Sequence, residues 1–218
     1  EDVSGADTYR RGLADEAMCL ARTVVEFLPN EPEALGLLAL LLYCEARKQA
    51  RRGAGNVFVP IQDQPPERWS RPLLAEAERT LAQAAALGTP GRFQLEAAIQ
   101  SAHIHGAIAG RTDWPAIVNL YAALMRIART IGAAVGHAAA IAEASGPQAG
   151  PQAGLEALDR IDSELIAKYQ PAWALRAHLL AGLGHASDAA RAYDLAIGLC
   201  GDPAVRTFLL AKRASLNL

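Results

Sequence analysis

Residues 173–203 read WALRAHLLAGLGHASDAARAYDLAIGLCGDP, and this stretch decides the fold of the chain. Small residues recur where two helices would meet, with Ala177 before a turn and Ala189 after it. Gly184 stands between the two helical segments, where a turn needs a residue that tolerates a left-handed conformation. Trp173 and Tyr193 are large enough to fill the space between neighbouring helix pairs. The stretch therefore predicts two antiparallel helices that pack closely on each other.

The order of these residues resembles a tetratricopeptide repeat, whose pattern runs from a Trp through small residues and aromatics to a Pro. The corresponding residues here are Trp173, Arg176, Ala177, Leu180, Gly184, Ala189, Tyr193, Ala196 and Pro203. The resemblance implies an all-α fold in which antiparallel helix pairs stack as a right-handed solenoid. We expect one helical-repeat domain over residues 1–218, and a stack of this kind presents a groove rather than a catalytic cleft.

The composition supports a helical protein that does not bind DNA. Hydrophobic residues make up 51% of the 218 residues and aromatic residues only 6%, so the apolar content is mostly Ala and Leu. With 21 basic and 23 acidic residues the net charge is −2, which gives no general attraction to phosphate backbones. We therefore expect no direct DNA binding by this chain.

The cysteines and the apolar runs indicate a cytoplasmic protein. Cys19, Cys44 and Cys200 are far apart and lack the paired spacing of zinc or redox motifs, so we expect reduced thiols. The longest apolar run, residues 35–43, is far shorter than the roughly 20 residues that cross a bilayer, so no membrane contact is expected. The charged start at Glu1 leads us to expect that the chain is part of a longer protein.

Hydrophobic periodicity predicts ten helices interrupted by two irregular segments. The first segment, around residues 53–69, contains the one stretch with strand character, residues 57–61. The second, residues 146–153, repeats the unit Gly-Pro-Gln-Ala and is predicted to be a lengthened loop. Asp113, ahead of Trp114 and Pro115, predicts a capped helix start. The predicted helices span residues 13–28, 33–52, 72–87, 92–109, 115–128, 133–145, 154–168, 171–183, 186–199 and 202–216.

The sequence carries no recognisable catalytic chemistry. It has no phosphate-binding glycine loop, no HExxH motif and no nucleophile elbow. His103 and His105 form the closest histidine pair, but positions i and i+2 of a helix point apart and make a poor metal site. We therefore expect a protein that is not an enzyme, with no catalytic, metal-binding or cofactor-binding residues and no cofactor.

The irregular segment around residues 53–69 is the candidate partner surface. Long loops in helical repeats are often functional, and Arg and Trp are frequent interface anchors. Two other interpretations stay open: a solvated helix end whose cations are favoured by the helix dipole, and an internal clasp in which Arg47 or Arg51 binds Asp63 while Trp69 covers the adjoining helix. The candidate residues are Arg47, Arg51, Asp63, Gln64, Arg68 and Trp69.

Over nearly the whole chain from about Ala14, a series of motifs resembles the C-terminal extension of a group of extracytoplasmic-function RNA polymerase sigma factors. The motifs, in order, are residues 33–40, Ala46-Arg47, Ala50-Arg51, Asp63-Gln64, Arg68-Trp69, Gln94-Leu95, residues 97–99, His103, Asp113-Trp114, Ile117, Leu120-Tyr121, residues 142–144, Gly146-Pro147 and Leu183-Gly184 before the helix of Ala189 to Tyr193.

The resemblance implies a regulatory and protein-interaction domain that modulates transcription initiation. Its partners would be the sigma domains of the parent protein, with RNA polymerase or a regulatory protein as further partners. The chain departs from the family by lacking Pro near Arg129 and Ile131, by Gly136-His137 in place of an Asn-Arg pair, and by its second Gly-Pro-Gln-Ala unit. No sigma-type helix-turn-helix is recognisable in it, so the DNA-binding sigma domains are not in this chain.

Two other function classes stay open. One is a free-standing tetratricopeptide adaptor that binds a peptide or protein in a groove. The other is a helical enzyme or small-molecule sensor with a site between the irregular segment and the helix of His103. An adaptor would show an extended groove with polar side chains, and a sensor a deep pocket with convergent polar groups.

Overall fold

A computed structural model describes the backbone of residues 3–216 and the side chains of residues 13–216. This part of the chain is all-α, as the sequence predicts. Across residues 3–216 no strand is formed, and the segment 57–61 contributes only an isolated antiparallel bridge between Arg52 and Phe58. The helices are α1 (Val3–Phe27), α2 (Pro32–Ala46), α3 (Arg71–Ala86), α4 (Arg92–Ala109), α5 (Trp114–Ile127), α6 (Ile131–Ala144), α7 (Gly146–Asp159), α8 (Ser163–Ala167), α9 (Gln170–Gly182), α10 (Ala186–Leu199) and α11 (Pro203–Ala214).

The chain forms two compact units. Unit 1 consists of Glu1–Ala50 with Gln62–Arg111, and unit 2 of Arg51–Ile61 with Thr112–Leu218. The irregular segment between α2 and α3 is therefore shared, and it contains the short 3-10 helices Lys48–Arg51, Ala54–Asn56, Ile61–Asp63 and Pro66–Arg68. The sequence predicts one helix over residues 33–52. In the structure the α-helix ends at Ala46, and the chain continues into the 3-10 helix Lys48–Arg51.

Helix α2 is the centre of unit 1 and packs against α1, α3 and α4. Its sequence PEALGLLALLLYCEA is apolar on nearly all sides, as expected of a helix surrounded by others. Gly36 allows the closest approach, because a Cβ atom there would lie 2.5 Å from the backbone nitrogen of Gln94 on α4. A side chain at position 36 would therefore force α2 and α4 apart.

Glu33 strengthens the same contact from the start of α2. Its carboxylate accepts hydrogen bonds from the backbone amides of Phe93 and Gln94, at 2.9 and 3.1 Å. These amides belong to the first turn of α4, which has no acceptors of its own and favours a negative charge. Gly91 leaves room for this arrangement, since a Cβ atom there would overlap the Glu33 side chain. Glu33 thus caps a helix about 60 residues away in the sequence.

Unit 2 is built from helices that pack on their neighbours along the chain, from α5 on α6 through α10 on α11. The predicted hairpin of α9 and α10 is present, with Ala177, Ala189 and Tyr193 buried. Gly184 has a φ of +77°, the left-handed conformation that the turn was predicted to need. Trp173 is half-buried rather than enclosed, and it packs against two core clusters while its Nε1 donates to Ala167 O at 3.4 Å.

The prediction of a loop over residues 146–153 is wrong, because these residues form the first half of α7. Pro151 lies inside this helix, where it lacks an amide hydrogen and crowds the preceding turn. Tight packing on α6 offsets this cost. Cβ atoms at Gly150 and Gly154 would lie 2.1 Å from Ala142 O and 2.8 Å from Ala142 Cβ. Gly150 and Gly154 therefore lie on the face of α7 that packs against α6.

The helix start at Asp113 is confirmed, since its Oδ1 accepts from the amide of Ala116 at 3.0 Å. The predicted helix over residues 154–168 is two helices, because α7 ends at Asp159 and Asp162 caps α8 through the amide of Glu164 at 2.8 Å. Gly136 on α6 lies against the ring of Tyr121 on α5, and a Cβ there would approach it to 2.6 Å. An Asn at position 136 would therefore displace Tyr121.

Candidate functional site

The structure divides the six candidate partner residues by unit and by exposure. Arg51 belongs to unit 2, and the other five belong to unit 1. Within unit 1, Asp63 and Arg68 are exposed. Arg47, Gln64 and Trp69 are buried, so their prediction as surface residues needs correction.

Arg47 is an internal residue of unit 1 and is only 6% exposed. It follows the last residue of α2, and its Nη2 donates a hydrogen bond to Oε1 of Gln100 on α4. Burial and the neighbouring Arg47 guanidinium lower the pKa of His103 to about 4. Arg47 therefore connects α2 with α4. Its partner Gln100 lies 53 residues later in the sequence, so this contact could not be predicted from local patterns.

Trp69 fixes the return of the chain from the irregular segment to α3. Its indole is 3% exposed and packs in the core of unit 1 with Leu42, Tyr43 and Ala77. The amide of Ser70 donates to Ala46 O at 2.9 Å, which ties the start of α3 to the end of α2. This anchoring makes the segment from Pro66 to Ser70 a well-defined wall for the surface beside it.

An open groove of about 860 Å³ lies beside this wall, between the end of α2 and the start of α3. Lys48 and Glu45 form an ion pair at 2.9 Å on one side of it. Glu67 and Arg68 are exposed on the other side, and Arg68 Nη2 donates to the backbone oxygen of Gln49. The groove therefore offers charges of both signs on a rigid frame. It is lined by Glu45, Ala46, Lys48, Gln49, Glu67, Arg68, Trp69, Ser70 and Leu73.

The outer side of α1 is a second candidate surface of unit 1. Ala21 is buried and Met18 and Val25 pack on the core, whereas Leu20 and Phe27 are 65% and 80% exposed. Arg22 makes a two-pronged ion pair with Glu76 on α3, which holds the inner side of α1 in place. The exposed apolar residues recur at helical spacing and will be called the α1 stripe: Leu13, Leu20, Val24, Phe27 and Leu28.

In unit 2, the segment Arg51–Ile61 is fastened to the start of α11. Arg52 Nη2 lies 2.6 Å from Oδ2 of Asp202, while Oδ1 of Asp202 caps α11 through the amide of Ala204 at 2.8 Å. Partial burial acts to raise the pKa of Asp202, but the hydrogen bonds from Arg52 and from the backbone lower it below its usual value. Phe58 contacts the ring of Phe208 edge-on, with 5.6 Å between ring centroids. Neither Arg52 nor Phe58 is among the six candidate partner residues predicted from the sequence.

Among the described side chains, no group of three or more His, Cys, Asp or Glu residues is arranged to hold a metal ion. His105 instead contacts Ser101, with Nδ1 2.9 Å from the Ser101 backbone oxygen. Within residues 3–216, none of the helices combines the length and apolar character needed to span a membrane.

Comparisons with known proteins give relatives without an assigned role. The model of a family of unknown function, DUF6596, matches residues 1–85 of this chain. A protein of Rhizobium meliloti (strain 1021), described as uncharacterized protein R00370, is 34% identical over 197 residues. That match covers 90% of this chain but 45% of the relative, so the chain spans less than half the length of that protein. No solved structure matches the chain.

Proposed function

We propose that this chain is the regulatory and protein-interaction part of an extracytoplasmic-function sigma factor. In this proposal its helices form a tetratricopeptide-like right-handed stack, act in the cytoplasm, catalyse no reaction and leave DNA contacts to the sigma domains. The ordered motifs from about Ala14 onward support it, as does a relative more than twice as long as the matched region. The close packing of α9 on α10, in which Ala177 shares a core cluster with Tyr193 and Ala196, supports the repeat architecture.

The observation that carries a protein-interaction role is the α1 stripe. Exposed apolar residues at positions i, i+4 and i+7, here Leu20, Val24 and Phe27, form one side of a helix that another helix or groove can cover. Contiguous apolar patches on a protein surface mark sites of association. Fully burying an exposed Leu, Val or Phe side chain contributes about 1.5–3 kcal/mol, and covering each of these partly exposed side chains contributes a part of that. We propose that it contacts the sigma domains of the parent protein.

The test uses the complete reading frame that contains this chain. We expect it to encode sigma domains, and its product to support promoter-dependent transcription by core RNA polymerase. Leu20→Asn with Phe27→Ser should reduce the transcript at least tenfold and leave the melting temperature unchanged, because both side chains are exposed. The matched control, Leu195→Asn with Leu210→Ser, changes two exposed leucines of unit 2 and should retain transcription. A reading frame without sigma domains, or equal loss in test and control, would contradict the proposal.

A direct DNA test uses the chain alone. We expect no binding of a promoter duplex, since the net charge of −2 supplies no excess of cations to neutralise phosphates. Tight binding that weakens with salt would show that the chain itself reads DNA.

The groove beside Trp69 favours a second candidate function, that of a free-standing adaptor. Its rim carries the ion pair of Lys48 and Glu45 on one side and Glu67 and Arg68 on the other, a pattern suited to an extended peptide with charges of both signs. An adaptor would capture its peptide without sigma domains present. If the chain is an adaptor, the charge reversal Lys48→Glu with Arg68→Glu should abolish peptide capture. If it is a sigma-factor domain, this charge reversal should leave transcription unchanged, and only the substitutions on the α1 stripe should reduce it.

A further inference from the structure

A half-open cavity of about 580 Å³ lies within unit 2, where the end of α5, one side of α6, the end of α7 and the start of α8 meet. Its volume is in the range of small-molecule binding sites. Its inner surface is apolar and includes Met125, Ile131, Ala134, Ile141 and Ala157.

Two arginines stand at the cavity, Arg129 after α5 and Arg160 after α7, and both are exposed. Among the described residues, neither guanidinium has a hydrogen-bond or ion-pair partner. Cations are favoured at helix C-termini, which accounts for one arginine at each helix end. It does not account for the presence of two arginines in the lining of one apolar cavity.

The other polar groups of the cavity leave its charge positive. Asp162 uses Oδ1 to accept from the amide of Glu164 at 2.8 Å, and Thr130 Oγ1 accepts from the amide of Ala133 at 3.1 Å. Both side chains therefore serve as helix caps. Desolvation by burial lowers the pKa of His137, so this residue is neutral at neutral pH and offers one donor and one acceptor. Two guanidinium groups and one carboxylate therefore give the cavity lining a net positive charge.

We propose that this cavity binds a small amphipathic carboxylate, with its apolar body between Met125, Ile141 and Ala157 and its carboxylate held by Arg129 and Arg160. A guanidinium binds a carboxylate through two parallel hydrogen bonds, and an apolar wall excludes water from the rest of the ligand. His137 adds a neutral hydrogen-bonding group to the lining. The site lies wholly within unit 2, so the proposal stands or falls independently of the sigma-factor assignment.

The test is isothermal titration calorimetry of the whole chain with three probes that share one apolar body: decanoate, decanol and decyltrimethylammonium. We expect one decanoate per chain, bound at least tenfold more tightly than the other two, because only its carboxylate can accept paired hydrogen bonds from the guanidinium groups. Arg129→Gln with Arg160→Gln should reduce decanoate affinity about tenfold and leave decanol affinity unchanged. The matched control Arg126→Gln removes an exposed arginine of α5 outside the cavity and should change neither.

A cavity-filling variant separates this site from binding elsewhere. Ala134→Phe should abolish decanoate binding while circular dichroism shows an unchanged helical spectrum. If Ala134→Phe does not fold, Ala157→Leu is the smaller replacement, and it should weaken decanoate at least tenfold. Decanoate affinity no higher than that of decanol, or decanoate binding retained in a folded filled variant, would overturn the proposal.

Discussion

Replacing Gly150 with Ala should destabilise unit 2, although the same change usually stabilises a helix. In an exposed helix, Ala is favoured over Gly by about 1 kcal/mol. Gly150, however, is buried where α7 crosses α6, and its added Cβ would lie 2.1 Å from the backbone oxygen of Ala142. A backbone oxygen cannot turn aside as a flexible side chain can, so the two helices would have to separate.

The separation needed sets the size of the effect. An ordinary contact to a Cβ atom begins near 3.4 Å, so α7 must move by more than an ångström relative to α6. Overpacking in a well-packed core costs about 1–3 kcal/mol, and a displacement of this size belongs at the upper end. After the gain of about 1 kcal/mol in helix propensity, the free energy of unfolding should fall by about 2 kcal/mol. The melting temperature should then fall by about 4–8 °C.

The assay compares Gly150→Ala with Gly198→Ala in urea and thermal denaturation followed by circular dichroism. Gly198 lies in α10, is exposed and has open space around its Cβ position, so its replacement should stabilise by about 0.4–1 kcal/mol. The two identical substitutions should thus have opposite signs. If Gly150→Ala matches or exceeds the wild-type stability, the close contact between α6 and α7 is absent and residues 146–153 form a loop after all.

Unit 1 should lose up to about 3 kcal/mol of stability as pH falls from 6.5 to 4, because an unfolded His binds its proton near pH 6.5 but the folded pKa of His103 is about 4. In urea melts at pH 7 and pH 5, His103→Gln should flatten this loss and the exposed control His178→Gln should preserve it. Glu33→Ala should cost about 1.5–3 kcal/mol by leaving two amides of α4 without their carboxylate, and unchanged denaturant midpoints would contradict that role. Trp173→Ala should lower the free energy of unfolding by about 2 kcal/mol in thermal melts, because the ring is half-buried. Replacing a fully buried Trp costs about 3–5 kcal/mol, so a loss in that range would show that the ring is enclosed.

The features that could be predicted from the sequence are those whose signals lie within one or two helical turns. The predicted ranges 92–109 and 186–199 coincide with α4 and α10, because apolar periodicity and bounding glycines act locally. Asp113 was identified as a cap because its acceptor and the amide it binds are three residues apart. The Gly-Pro-Gln-Ala repeat was predicted wrongly, because its local signal indicates a loop, whereas the segment is a helix whose Gly150 and Gly154 pack against Ala142. Local propensity decides where tertiary packing does not compete with it.

The candidate surface could be located from the sequence only in part, because exposure depends on residues from distant segments. Arg47 at the end of α2 has the position of a solvated cation, but it is buried and donates a hydrogen bond to Gln100 on α4. Gln64 and Trp69 have the composition of an interface, yet both are buried within unit 1. Substituting Gln64 would therefore disturb folding before it affected a partner. The informative positions for partner binding are instead Lys48 and Arg68 at the groove and Phe27 on the α1 stripe, because their side chains reach solvent and their loss leaves the core unchanged.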